Sequence, residues 1–406
     1  MKVLRLCLLA GLLTALALFL GSTLPRVQFQ RGADEGVYLT YAARVAKGGL
    51  GGLRGLFPLY AAHDKIAQYG GPPPYRLTVT LLDALAVRLG GVYCTSLAVV
   101  SLWAFLALLA VTFWGVRELW GERTAWWTVL LLSTAPLHLA MARRALSDTL
   151  NSLTLATGLL LLCVGVWGST KRVARAVWWV IPAVFVAAFL VKENGLLLVP
   201  ISLGLLGWQA VREDRRPAFW RIAAVSWIPL SLAFAAVLFA AGGFKPLWEA
   251  ARFLVGGGGN LYGQRLQNGP WYRTLVDLML LSPWPVLLYL VGLGVFSTDK
   301  KPDEKFWFWA LMPVAQILLV VLPPCRINVR FLILSEMAMR LCSVLLLQRL
   351  LGDRPGNLRS ALLMGAAVLA WICTDLKTFH QLFVAGGIYD PVSVSLLASR
   401  GFLPPP

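Results

Sequence analysis

Residues 142–170 read ARRALSDTLNSLTLATGLLLLCVGVWGST, a charged turn followed by a run with no Asp, Glu, Lys or Arg. The charge-free part, 149–170, matches the roughly 20 apolar residues that carry a helix across a bilayer. Similar runs lie on either side, at 6–24, 89–116, 124–142, 176–191, 194–211, 222–244, 278–298 and 306–325. Two less clean segments, 331–350 with Glu336 and Arg340 and the short 360–374, complete an expected set of eleven spans. The expected fold is therefore an all-α integral membrane bundle, because a closed barrel would show short alternating strands instead.

Composition points the same way. The 406 residues are 58% hydrophobic and 14% charged, whereas soluble domains run nearer half and about a quarter. That excludes a soluble enzyme, a disordered chain and a small disulfide scaffold. The net charge of +18 does not imply a nucleic-acid partner, since Lys and Arg of membrane proteins gather at the lipid interface and in cytoplasmic loops. Six cysteines occur without a CxxC pair, so no metal or redox motif is visible. Cys7, Cys163, Cys342 and Cys373 lie in apolar blocks and read as core. Cys94 and Cys325 fall on one expected side, but spacing alone supplies no disulfide geometry.

Orientation follows from the short loops. With the N-terminus inside, inner loops hold Arg117, Arg123, Lys171, Arg172, Arg175 and a further set at 212–221, 300–305 and 354–359. The short outer loops hold fewer cations. The first block follows Lys2 and Arg5 and reads as a retained span, its signal-type cleavage pattern being poor. Two outer segments are long, 25–89 and 245–277. The first is expected to contain an amphipathic helix over 35–47, a glycine-rich turn over 48–55, and a second helix over 75–89 after Pro72-Pro73-Pro74, both helices lying in the interface plane. The glycines at 256–259 read as a hinge. With no internal repeat and no soluble segment, 1–406 is expected to form a single domain.

Ionisable residues at membrane depth are costly and usually functional. Here they are expected to gather on the outer side: Asp34 and Glu35 after the first span; Arg143, Arg144 and Asp148 between the third and fourth; Lys192 and Glu193 at the next outer turn; Arg326 and Arg330 before the tenth; Lys65 and Arg76 in the long first segment. Arg and Lys hold phosphate, and a carboxylate can take the proton of an acceptor hydroxyl. A lipid-phosphate sugar suits both: the tail in the bilayer, the phosphate at the interface, the sugar in an outer cavity. Each element also has a plainer account. Asp34-Glu35 can be a helix-dipole acid pair. Arg143-Arg144 can be interfacial anchors, with Ser147 or Asp148 as a helix cap. Lys192-Glu193 can be a snorkelling pair, Arg326 and Arg330 anchors, and His63 a surface residue. Those accounts do not explain the shared side.

At these residues the sequence resembles the GT-C glycosyltransferases, in the branch of the protein O-mannosyltransferases and the aminoarabinose transferases of lipid A. Asp34-Glu35 resembles the family's acidic pair in the first outer loop. Pro72-Pro73-Pro74-Tyr75 is similar to its PPL segment, with Pro74 in place of Leu. Residues 142–148 resemble its arginine–aspartate turn, and Lys192-Glu193-Asn194-Gly195 its KE turn. Arg330-Phe331-Leu332 resembles its RYLLP start, with Ser335 and Glu336 in place of the proline region. The resemblance implies an inverting hexosyl- or pentosyltransferase using a polyprenyl-phosphate sugar on the non-cytoplasmic side. Asp34 would activate the acceptor beside Glu35. Lys192, Arg143 or Arg144, Arg330, Lys65 and Arg76 would hold donor phosphate, with Asp148, Glu193 and Tyr75 in support. No metal motif or other cofactor is visible, although other GT-C branches use a divalent metal. The acceptor stays open among lipid, envelope glycan and protein. The absence of an N-x-S/T sequon leans towards a bacterial membrane. The rival readings are a transporter or flippase of a lipid-linked sugar, which would place charges near the midplane, and a noncatalytic partner with the same fold.

Overall fold

The computed structural model describes residues 2–24, 33–62, 71–168, 170–214, 218–256, 272–300, 303–321, 328–352, 358–388, 391 and 393–402. Among these residues every regular element is a helix. Seven helices are long and apolar enough to cross a membrane, and nine if two bent pairs each count as one span. The chain is thus a multi-pass membrane protein, and seven to nine of the eleven expected spans qualify among the described residues. The first block forms the helix Lys2–Ser22.

The bent pairs are another departure from the expected continuous spans. Helix Glu122–Ser133 breaks by 64° before Pro136–Ala142. Pro136 has no N–H to continue the ladder, and the Ala135 N–H turns instead to the Leu132 carbonyl at 3.2 Å. Helix Arg273–Leu281 breaks by 119° before Pro283–Ser297. Ser282 is extended, at φ −155° and ψ 98°, as the residue before a proline tends to be.

The fold divides into two compact units. One comprises Leu24–Val111 and Arg143–Leu261. Here helix Ala33–Arg54 packs on Leu77–Gly90, and Lys171–Val191 packs on Asp148–Trp167. Tyr41, Val45, Phe57, Tyr60, Leu77 and Ala84 form a buried core. Within the expected glycine turn over 48–55, Gly49 interrupts the helix Ala33–Arg54 at a kink, with φ 54° and ψ −132°, a backbone conformation that suits glycine, and helical backbone resumes beyond it to Arg54. The second expected helix begins at Leu77 and ends at Gly90. The glycines at 257–259 lie outside the described residues.

The other unit comprises Met1–Thr23, Thr112–Ala142 and Tyr262–Pro406. Helix Ile333–Leu350 packs there against Glu122–Ser133, Pro283–Ser297 and Glu304–Val321. Leu131, Val344, Met364, Val368 and Trp371 form its buried core cluster. Cys163 and Cys342 are buried in their units as expected, whereas Cys7 and Cys373 are exposed, on apolar helices whose outward faces suit lipid. Cys94 is buried, and Cys325 lies outside the described residues.

Candidate active site

Four chain segments meet within the unit formed by 24–111 and 143–261. The acid pair occupies the first turn of helix Ala33–Arg54, where carboxylates complement the helix dipole. Glu35 is not merely a dipole residue. Its Oε1 accepts from the Ala145 N–H at 3.0 Å, which ties the acidic turn to the ARRALSD turn. One helical turn beyond Asp34, the buried Tyr38 hydroxyl donates to Ser147 Oγ at 3.0 Å and accepts from Arg76 Nη1 at 2.7 Å. Burial pushes the Tyr38 phenol up to about 12 against the opposing pull of Arg76, so it remains a neutral donor.

Arg76 lies immediately before helix Leu77–Gly90. Its guanidinium grips Glu193 with two bonds, Nε to Oε1 at 3.1 Å and Nη2 to Oε2 at 2.8 Å, the fork geometry that makes Arg–carboxylate pairs specific. Lys192 precedes Glu193 and is extended, at φ −161° and ψ 151°, so neighbouring side chains diverge. Its Nζ meets Asp148 Oδ1 at 2.6 Å, with both side chains buried. Gly195 lets this turn close: a Cβ there would stand 2.4 Å from the Ala188 carbonyl carbon and oxygen.

These contacts decide several of the plainer accounts. Lys192 and Glu193 do not snorkel; each is held by an opposite charge from another segment. Ser147 makes no capping bond from its side chain, because its hydroxyl receives Tyr38. Asp148 turns to Lys192 rather than capping the helix it opens. Arg143 is 8% exposed, too buried for an interfacial anchor. Burial and then the Arg144 guanidinium push Arg143 down to about 10. Burial and the nearby Glu193 raise the Tyr75 phenol above its usual range.

Lys65, His63 and Arg326 lie outside the described residues. Arg330 belongs to the other unit, in the short 3₁₀ turn Val329–Leu332, with its guanidinium over the Phe331 ring at 5.5 Å. Sequence reading missed Tyr38, although its place four residues after Asp34 puts both on one helix face. It also missed Thr149, Asn151 and Ser152. Each carries a buried side-chain oxygen with no partner among the described residues, and Asn151 and Ser152 share the helix face of Asp148. Among the described residues no group of three or more His, Cys, Asp or Glu side chains is placed to hold a metal.

Beside this site runs an apolar groove of about 650 Å³. Leu82, Leu85 and Leu89 of the helix behind Arg76 form one wall, and Leu150 and Leu153 of the helix opened by Asp148 form another, with Trp103 between. Two helices that begin at charged site residues therefore continue as walls of an apolar channel.

No family model and no curated protein matches the sequence. Solved structures do match the fold. ArnT, an aminoarabinose transferase from Cupriavidus metallidurans solved with undecaprenyl phosphate, superposes with a TM-score of 0.61 at 15% identity. That match covers 97% of this chain and 75% of the other. An oligosaccharyltransferase from Archaeoglobus fulgidus gives a TM-score of 0.62 at 14% identity, covering 95% of this chain and 56% of its own length. Both are GT-C glycosyltransferases, and the chain has the GT-C fold.

Proposed function

We propose that this chain is a membrane glycosyltransferase that moves a sugar from a polyprenyl-phosphate donor to an acceptor hydroxyl or amine on the non-cytoplasmic side. The observation that carries this reading is the bonded junction of three turns, 34–38, 143–148 and 192–193, at the head of two helices that wall the apolar groove. An isoprenoid tail suits that groove, and a phosphate at its head suits Arg143 and Arg144. The solved ArnT holding undecaprenyl phosphate supports the same class of lipid.

In the proposed reaction Asp34 takes the acceptor proton as the acceptor atom attacks the anomeric carbon. The bond from that carbon to the phosphate oxygen breaks, the configuration inverts, and lipid phosphate leaves with the charge that Arg143 stabilises. Glu35 holds the loop that presents Asp34. Arg76–Glu193 and Lys192–Asp148 fix the turns around it, and Asn151 and Ser152 offer polar contacts to sugar or acceptor. No cofactor is assigned a step. The acceptor, whether lipid, envelope glycan or protein, sits on the outer face of a bacterial cell membrane in this reading.

Purified protein incubated with radiolabelled polyprenyl-phosphate sugars and membrane acceptors tests the proposal through release of lipid phosphate. Release that requires Asp34 supports it. Transport of an intact lipid-linked sugar without release would favour the flippase instead.

A further inference from the structure

The unit formed by 1–23, 112–142 and 262–406 contains a charge cluster that the proposed reaction does not use. Arg340 lies midway along the span Val329–Leu350, with no exposed side-chain surface. Its Nη1 donates to the Leu131 carbonyl at 2.8 Å, the group left without its helical donor when the Ala135 N–H turns to Leu132. Its Nη2 donates to Glu336 Oε1 at 2.8 Å and to Ser282 Oγ at 3.2 Å. Ser282, at the other helix break, donates onward to Asp375 Oδ1 at 2.6 Å. Asp375 Oδ2 stands 2.7 Å from Arg340 Nη1, off the line of a hydrogen bond. The Trp371 ring closes one face of the guanidinium at 5.3 Å.

One cation therefore faces two carboxyls, exposed by 2% and 0%. With both ionised the cluster would carry a net negative charge inside a membrane span, where an uncompensated charge is strongly disfavoured. The two acids are not equivalent. Both oxygens of Asp375 meet a donor or the guanidinium. Glu336 has one oxygen on Arg340, while its Oε2 is buried with no partner among the described residues. Among the described residues, titratable groups on the neighbouring elements include His138, whose Nε2 meets the Ile333 carbonyl at 3.0 Å, the buried Asp277, and Arg400, which bonds Leu280 and Thr378. A neutral imidazole can make the His138 contact as a donor without adding charge.

We propose that the cluster is a proton-binding site, in which the Glu336 carboxyl holds one proton on Oε2. The bound proton makes Arg340, Asp375 and Glu336 neutral as a set. Arg340 can then tie two broken spans together at Leu131 and Ser282 without a net buried charge.

Infrared spectroscopy of the full chain in lipid nanodiscs tests this. A protonated carboxyl gives a carbonyl stretch separate from the carboxylate and amide bands. Glu336 is the only glutamate buried among the described residues, so isotope-labelled glutamate should shift that band in the wild-type protein at neutral pH. Glu336→Gln should abolish the shifted component, whereas Asp83→Asn, at another buried acid, should leave it. A band that does not respond to glutamate labelling overturns the proposal, as His138 or a second cation would then supply the missing charge. A band present in choline buffer but lost in sodium buffer also overturns it, in favour of a metal cation. The labelling arm stands even if Glu336→Gln does not fold.

Discussion

Removing the charge of Lys192 should reveal what its pairing contributes. Its Nζ sits 2.6 Å from Asp148 Oδ1, with side-chain exposures of 8% and 4%. Breaking a buried pair by deleting one member costs about 3–5 kcal/mol, because the other charge stays buried and alone. At about 1.4 kcal/mol per tenfold, that lowers the folded-to-unfolded ratio by roughly a hundredfold to several thousandfold. Lys192→Met keeps the aliphatic stem, so the loss reports the charge. Asp148→Asn should cost a similar amount, since it leaves the ammonium buried. The double variant should recover most of the loss, because no uncompensated charge remains. Denaturant unfolding in detergent micelles, run on all four proteins, gives the interaction energy. Single costs that simply add in the double variant would refute the pairing. The same four proteins, titrated with a polyprenyl-phosphate sugar, separate architecture from donor binding. A stable double variant that binds donor weakly gives Lys192 a second role at the phosphate; one that binds like wild type confines it to holding the turn.

Asp34→Asn should lower turnover by about 10²–10⁴-fold, the usual share of a general base, with donor binding retained; near-normal turnover would move the role to Glu35 or Asp148. Arg76→Lys cannot reproduce the two-bond grip on Glu193 and should cost about 1.5–3 kcal/mol of stability, read from the unfolding midpoint. Gly195→Ala forces a Cβ against the Ala188 backbone and should cost at least about 1–3 kcal/mol, visible as a lower melting temperature and loss of activity. Cysteine at Gly36 should react with a membrane-impermeant thiol reagent applied outside the cell, and cysteine at Ala218 should not; the reverse pattern would invert the assigned orientation.

The pairings show how far the sequence could be read. Asp34, Glu35, Arg143, Lys192 and Glu193 were visible as charges that interrupt apolar runs, so the segments of the site were legible. Their partners were not. Arg76 and Glu193 are 117 positions apart, and Lys192 and Asp148 are 44 apart, so no local rule relates them. Tyr38 and Asn151 were overlooked because a phenol or an amide inside a helix carries no signal until its neighbours are known. The expectation that charge gathers on one side gave no role to Glu336 and Arg340, seen only as interruptions of 331–350, or to Asp375, since a buried cluster looks in sequence like scattered impurities in two apolar runs.

The sequence by itself determined that the chain is a helical membrane protein, because each span's need for about 20 apolar residues is written locally. It also marked the turns that carry charge. Only the tertiary structure decided which spans break and which charges meet. A proline weakens a helix without setting the 64° or 119° bend, which depends on packing around the break. A carboxylate likewise does not choose between dipole, phosphate and arginine until the fold brings one of them within about 3 Å.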